Sequence, residues 1–107
     1  MKNYIQMGKT LTLIAPAAIV SGAGVLVGSI FGVATGDADN GDEVEVMTEG
    51  VFDLTKVGAQ AWAQGAKVYW DDAAKNCTTT ATGNTLIGCA ARAAAASDTV
   101  GRVWLNL

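Results

Sequence analysis

TLTLIAPAAIVSGAGVLVGSIFGVATG, residues 10–36, is a run of 27 residues without a charge. How it is read decides the fold. Behind Lys2 and Lys9 it has the outline of a signal peptide or membrane span, with Leu11–Val20 as the apolar core. Three features oppose that outline. Pro16 stands mid-run, and Gly22, Gly24, Gly28, Gly32 and Gly36 punctuate the rest. In a helix each Gly costs about 1 kcal/mol relative to Ala, and Pro about 3 kcal/mol. The start alternates with period two, Thr10 and Thr12 interleaving with Leu11 and Leu13, which is strand patterning. Val25, Val27, Phe31 and Val33 share one parity, with Leu26, Ile30 and the glycines on the other. That describes a strand buried on one face and approached closely by backbone on the other.

The strand reading extends along the chain. Strands are expected near residues 10–15, 24–34, 43–52, 66–71, 85–95 and 100–106, with Thr78-Thr79-Thr80 as a short edge strand. Asp39-Asn40-Gly41-Asp42 is a turn, since Asn-Gly tolerates positive φ. Glu43-Val44-Glu45-Val46 alternates strictly, acids outward and valines inward, and Gly50 marks a bulge before Val51-Phe52. Residues 57–64 are expected to hold at most one short helical turn, anchored by Trp62 and ended by Gly65. Ala90–Ala96 has helical propensity. Its strand-like flanks, and a length too short for an independent helix, favour strand. The fold class is therefore all-β: a small antiparallel β-barrel or β-sandwich. An extended N-terminal arm, residues 1–9, precedes a single β-rich domain, residues 10–107.

Composition agrees with a small, chemically quiet domain. The chain has 107 residues, enough to bury roughly 65% of its unfolded surface. Half of the residues are hydrophobic but only 7% are aromatic; 19 are Ala and 13 Gly, so small side chains supply the bulk. There is no His, which removes the commonest general base and transition-metal ligand. A net charge of −3 makes the chain a poor partner for DNA or RNA.

The candidate chemical motifs each fall short. Asp37-Ala38-Asp39-Asn40-Gly41-Asp42 misses the calcium loop: counted from Asp37, Gly is fifth rather than sixth and Thr48 stands at the twelfth place. It reads as an acidic tip, in a segment that carries six of the ten acids. Gly22-Ala23-Gly24-Val25-Leu26-Val27-Gly28 has spaced glycines, but a β-like run follows where a dinucleotide loop opens a helix. Cys77 and Cys89 cannot complete a zinc site alone, and without His a catalytic cysteine lacks its base. They form one disulfide if adjacent strands bring their Cα atoms within about 7 Å, and otherwise read as free buried thiols, the reading that a reducing compartment favours. Asn76-Cys77-Thr78 matches a glycosylation sequon, which matters only in a secreted eukaryotic chain. Asp53, Asp71 and Asp72 do not make a glycosidase pair. Trp62, Trp70, Trp104, Tyr69 and Tyr4 serve either as core and subunit contacts or as a stacking platform. No catalytic, cofactor-binding or metal-binding residue is assigned.

Several stretches together resemble one family. They are Met1-Lys2-Asn3-Tyr4-Ile5-Gln6 with Thr10–Ala17, Ser21–Ala34, Gly41–Val46 with Gly50-Val51-Phe52, Trp62–Asp71, Leu86–Ala90 and Gly101–Leu105. Their order and spacing are similar to those of the capsid decoration, or cement, proteins of tailed bacteriophages. The resemblance implies a structural, non-enzymatic virion protein. It would sit on the capsid exterior, bind the major capsid protein, and assemble with itself as a trimer or other small cluster, without membrane or cofactor. Lys2, Asn3, Tyr4, Ile5 and Gln6 of the arm, with Trp62 and Trp70, are the expected capsid or subunit contacts. The other classes the residues allow are a carbohydrate- or ligand-binding β module, motivated by Tyr69-Trp70-Asp71, and an exported or membrane-anchored small protein, motivated by the uncharged run.

Overall fold

The computed structural model describes residues 10–105; residues 1–9, expected to form an arm, lie outside the described residues. Nine strands form two antiparallel sheets, and the described residues contain no helix. The strands are β1 (Thr10–Ile14), β2 (Gly24–Val27), β3 (Ile30–Ala34), β4 (Glu43–Met47), β5 (Gly50–Thr55), β6 (Lys67–Asp71), β7 (Asn76–Thr78), β8 (Thr85–Ala90) and β9 (Val100–Leu105). The four-stranded sheet has the order β1-β4-β3-β2 and the five-stranded sheet β5-β9-β8-β6-β7. They make a sandwich-like body with no closed barrel.

The strand expected over 24–34 is a hairpin. Val27 pairs with Ile30 across a two-residue loop, Gly28-Ser29, with Gly28 at φ +60°. Gly in the first loop position is what a tight hairpin turn of this hand requires. The turn undoes the parity argument. Val25 pairs with Gly32 and Leu26 with Phe31, so Val25 and Val27 face away from Phe31 and Val33. Both faces of β3 are consequently buried. Phe31 and Val33 point into the core shared with the five-stranded sheet. Val25 and Ala34 join Ala15, Val44 and Val46 in a second cluster, flanked by Leu11, Leu13, Ile19 and Ala38. The bridge between Ile19 and Ala38 holds the segment after Pro16 against it.

The strand expected over 43–52 is also two strands. β4 alternates as its sequence requires, with Val44 and Val46 buried and Glu43 and Glu45 exposed. Gly50 is no bulge within it. Thr48 and Glu49 carry the chain from one sheet to the other, and Gly50, at φ +130°, makes the entry into β5. The segment 57–64 has no helical turn. Trp62 instead exchanges two backbone hydrogen bonds with Ala94, 2.9 and 3.0 Å, and Gly65 donates to the Ala90 carbonyl. Two facing backbones satisfy each other there, so a local helix has nothing to add. For the same reason Ala90–Ala96 is not a continuous strand. β8 ends at Ala90, and only Ala94 makes a further bridge.

The central core is built by large side chains over residues without one. The Trp62 ring covers Gly101, where an added Cβ would overlap the ring, and the Trp104 carbonyl lies over Gly88 in the same way. Trp62 cannot yield easily. Its indole N–H donates to Gln60 Oε1 at 2.9 Å, and the Lys56 ammonium stands 5.7 Å from the ring centroid. Lys56 itself is only 3% exposed, with its charge solvated by the carbonyls of Val57 and Asp98, 2.9 and 3.2 Å away.

Gly101→Ala, against the Trp62 ring, and Gly88→Ala, against the Trp104 carbonyl, are therefore expected to lower stability in urea by about 1–3 kcal/mol, the usual cost of overpacking a closed site. Gly58→Ala, at a position open to solvent, should stay within about 0.5 kcal/mol of the parent. Denaturation midpoints of the three variants check this.

Candidate functional site

Among the described residues, two surfaces that carry exposed apolar side chains are sheet faces. On the outer side of the five-stranded sheet, register aligns Val51 with Trp104, Trp104 with Cys89, and Cys89 with Lys67. Val51 is 55% exposed, Trp104 47% and, two residues before Arg102, Val100 52%. Gln64, Gly65 and Ala91 complete a shallow apolar hollow around Trp104. Next to this row Arg102 Nε donates to Asp53 Oδ1 at 3.0 Å. That hydrogen bond holds the Asp53 carboxyl below its ordinary range and raises Arg102. Arg92 lies beside the pair, lining the same hollow as Asp53 and Arg102.

On the four-stranded sheet the β1–β4 half presents another face. Thr10 is paired with Met47, Thr12 with Glu45, and Ile14 with Glu43. Ile14 is 58% exposed and Met47 37%, so this face combines apolar side chains with carboxylates. The acidic tip lies alongside. Asp42 donates its N–H to the Asp39 carbonyl to close the turn, and Asp37 Oδ1 accepts the Ser21 N–H at 2.8 Å. Among the described residues no three His, Cys, Asp or Glu gather into a group able to hold a metal ion.

A cleft of about 340 Å³ opens where Pro16–Ile19 and β2 meet β5 and Trp70. Its lining is mostly small and apolar. Its two charged side chains, Asp53 and Lys75, are already engaged by Arg102 and Asp72. No pair of groups there is arranged for acid–base or nucleophilic work.

Of the residues expected to make contacts, Lys2, Asn3, Tyr4, Ile5 and Gln6 lie outside the described residues. Trp62 and Trp70 are each 3% exposed and belong to the core. Trp62 covers Gly101. The Trp70 ring packs against Phe31, centroids 5.0 Å apart, and its indole N–H donates to Asp72 Oδ1. Tyr69 points to the other side of β6 from Trp70, so Tyr69 and Trp70 form no common stacking platform. The exposed tryptophan is Trp104. Its signal was in the strand itself: Gly101, Val103 and Leu105 share the inward parity, which leaves Arg102 and Trp104 outside.

A family described as phage cement protein matches residues 5–105 of the 107-residue chain. The chain belongs to that family. No curated protein and no solved structure matches it. A cement protein stabilises a phage capsid and resides there. No helix among the described residues is long and apolar enough to cross a membrane.

The cysteines of this cement protein are free. Cys77 on β7 and Cys89 on β8 have β6 between them, opposite Trp70 and Lys67 respectively. Two strand spacings, roughly 9–10 Å, exceed the roughly 7 Å that a disulfide spans. Burial pushes the Cys77 thiol up to about 12, whereas Cys89 is half-buried beside Trp104. A thiol reagent is expected to label Cys89 in the native protein and Cys77 only in denaturant, as read by intact mass. Because the folded state holds Cys77 neutral, its contribution to stability is present below the ordinary thiol range near 9 and is lost as pH rises toward 12. Cys77→Val should flatten the fall in stability across that alkaline window.

Proposed function

We propose that this cement protein binds the outside of the mature capsid through the major capsid protein. It does so as a trimer or other small cluster, and clamps neighbouring coat subunits against the pressure of packaged DNA. The observation that carries the reading is the family match across residues 5–105. The surface chemistry supports it. Small side chains and sparse charge give flat faces that dehydrate at low cost. A cluster that touches several coat subunits at once also needs only a modest contact from each copy. Linked binding events raise the overall affinity by about 10²–10⁴.

Residues 1–9 form an arm in this reading, and Lys2, Asn3, Tyr4, Ile5 and Gln6 reach coat protein or a sister copy. Isolated apolar residues ahead of the first strand need a surface to cover them. Trp104 takes the contact role that Trp62 and Trp70, being inside, do not offer.

The test is reconstitution on undecorated capsids, with occupancy read by density in a particle map and DNA retention read on heating. Added protein is expected to raise the temperature at which DNA escapes. Deleting residues 1–8 should cut occupancy at least tenfold while the circular dichroism of the purified protein is unchanged. Occupancy that survives the deletion would remove the arm from the reading, and capsids that never take up the intact protein would remove the reading itself.

A further inference from the structure

The two uncovered faces differ in sign. Of the exposed cations among the described residues, Lys75 is held by Asp72 and Arg102 by Asp53. The ammonium of Lys56 is buried. The cations left without an ion pair are Lys67 and Arg92. Both lie at the Trp104 face, Lys67 in register with Cys89 and Arg92 beside the Asp53–Arg102 pair. The β1–β4 face carries Glu43 and Glu45, neither in an ion pair among the described residues, around Ile14 and Met47. Asp98 lines the same hollow as Arg92, with its carboxylate accepting the Ala95 N–H at 2.9 Å. Each face thus has an apolar centre, with the two cations Lys67 and Arg92 against one acid, Asp98, at the margin of the first, and Glu43 and Glu45 at that of the second.

We propose that the Trp104 face of one copy seats on the β1–β4 face of the next, head to tail. This deepens the clustering part of the reading above by naming the two mating surfaces. A two-fold contact of either face with itself is disfavoured. It would set Lys67 and Arg92 against their own copies, or Glu43 and Glu45 against theirs, and like charges brought together at an interface cost several kcal/mol. The heterologous contact pairs the opposite charges and covers Trp104, Val51, Ile14 and Met47 together. A large exposed aromatic at the middle of a patch is the side chain most often found to dominate such a contact. Because the contact joins unlike faces, every copy added keeps one face of each kind free until a ring closes.

The test uses the purified full-length chain without capsids. Sedimentation across a concentration series should show oligomers that weaken several-fold between about 50 and 500 mM salt, as a charge-steered contact does. Glu43→Lys with Glu45→Lys should make the protein monomeric, and so should Lys67→Glu with Arg92→Glu. Mixing the two double variants in equal amounts should restore assembly, because each reversed face now meets its complement. A zero-length carbodiimide should join Lys67 to Glu43 or Glu45 between copies. All four positions are exposed, and circular dichroism of each variant checks that it is folded. Trp104→Ala should weaken association at every salt concentration.

A wild-type chain that stays monomeric overturns the proposal. So do oligomers indifferent to both reversals, and reversals that the mixture does not rescue. If Trp104→Ala leaves solution oligomers intact but abolishes capsid occupancy, the face belongs to coat protein and the proposal fails. Failure of the intact protein to decorate capsids would count against the function proposed above and not against these two surfaces.

Discussion

The Trp62 indole occupies the space that residue 101 leaves by having no side chain, and much of the subunit is arranged around that contact. The ring is fixed from three sides: its backbone is laddered to Ala94, its N–H is taken by Gln60, and the Lys56 ammonium stands over its face. Gln60 Oε1 also accepts the Thr79 N–H at 2.8 Å, which ties the far edge of the five-stranded sheet to the same point. The connections 56–66 and 91–99 hold no named strand, yet backbone hydrogen bonds join them at Trp62–Ala94 and Ala59–Ala96. An alanine-rich chain has few large side chains with which to fill a core. Setting each large ring against a glycine lets three or four rings do work that a leucine-rich core spreads over many residues.

The second organising constraint is the reversal at Gly28-Ser29. It turns one run of apolar residues into two strands whose valines face opposite ways, and so lets β3 be buried on both sides. One side joins the core between the sheets and the other joins the cluster under Ile19 and Ala38. With β3 covered on both faces, the small sheet exposes its β1–β4 half, of which β1 is the edge strand. The five-stranded sheet presents its outer side in the same manner. A protein that stabilises a shell by contact needs surfaces that do not rearrange on docking, since ordering a loose surface costs binding free energy.

Much of this was legible in advance. The Glu43–Met47 alternation announces which side of β4 is wet, and the Val100–Leu105 alternation does the same for β9, down to the exposure of Trp104. The acidic turn at Asp39–Asp42 follows from the tolerance of Gly for positive φ. Less legible were the places where a single residue ends one element and begins another. Gly28-Ser29 inside an apolar run and Gly50 after an alternating strand both look like local irregularities. Only pairing partners distant in sequence reveal one as a hairpin and the other as a crossing between sheets. The pairing of the segments at 57–64 and 90–96 is hidden for the same reason. Neither the composition of the first nor the flanks of the second shows that each backbone is satisfied by the other.

The amino-acid sequence by itself determined an all-β chain of the cement protein family, poor in reactive side chains, with its acids gathered near residues 37–49. Periodicity, turn chemistry and composition are local properties, and they suffice for that. Only the tertiary structure decided that Trp62 and Trp70 are core, that Cys77 is sealed and Cys89 is not, and that Lys67 and Arg92 share one face while Glu43 and Glu45 share another. Those are facts about which strands lie side by side. Strand adjacency is set by long-range pairing and burial, which no window of sequence contains.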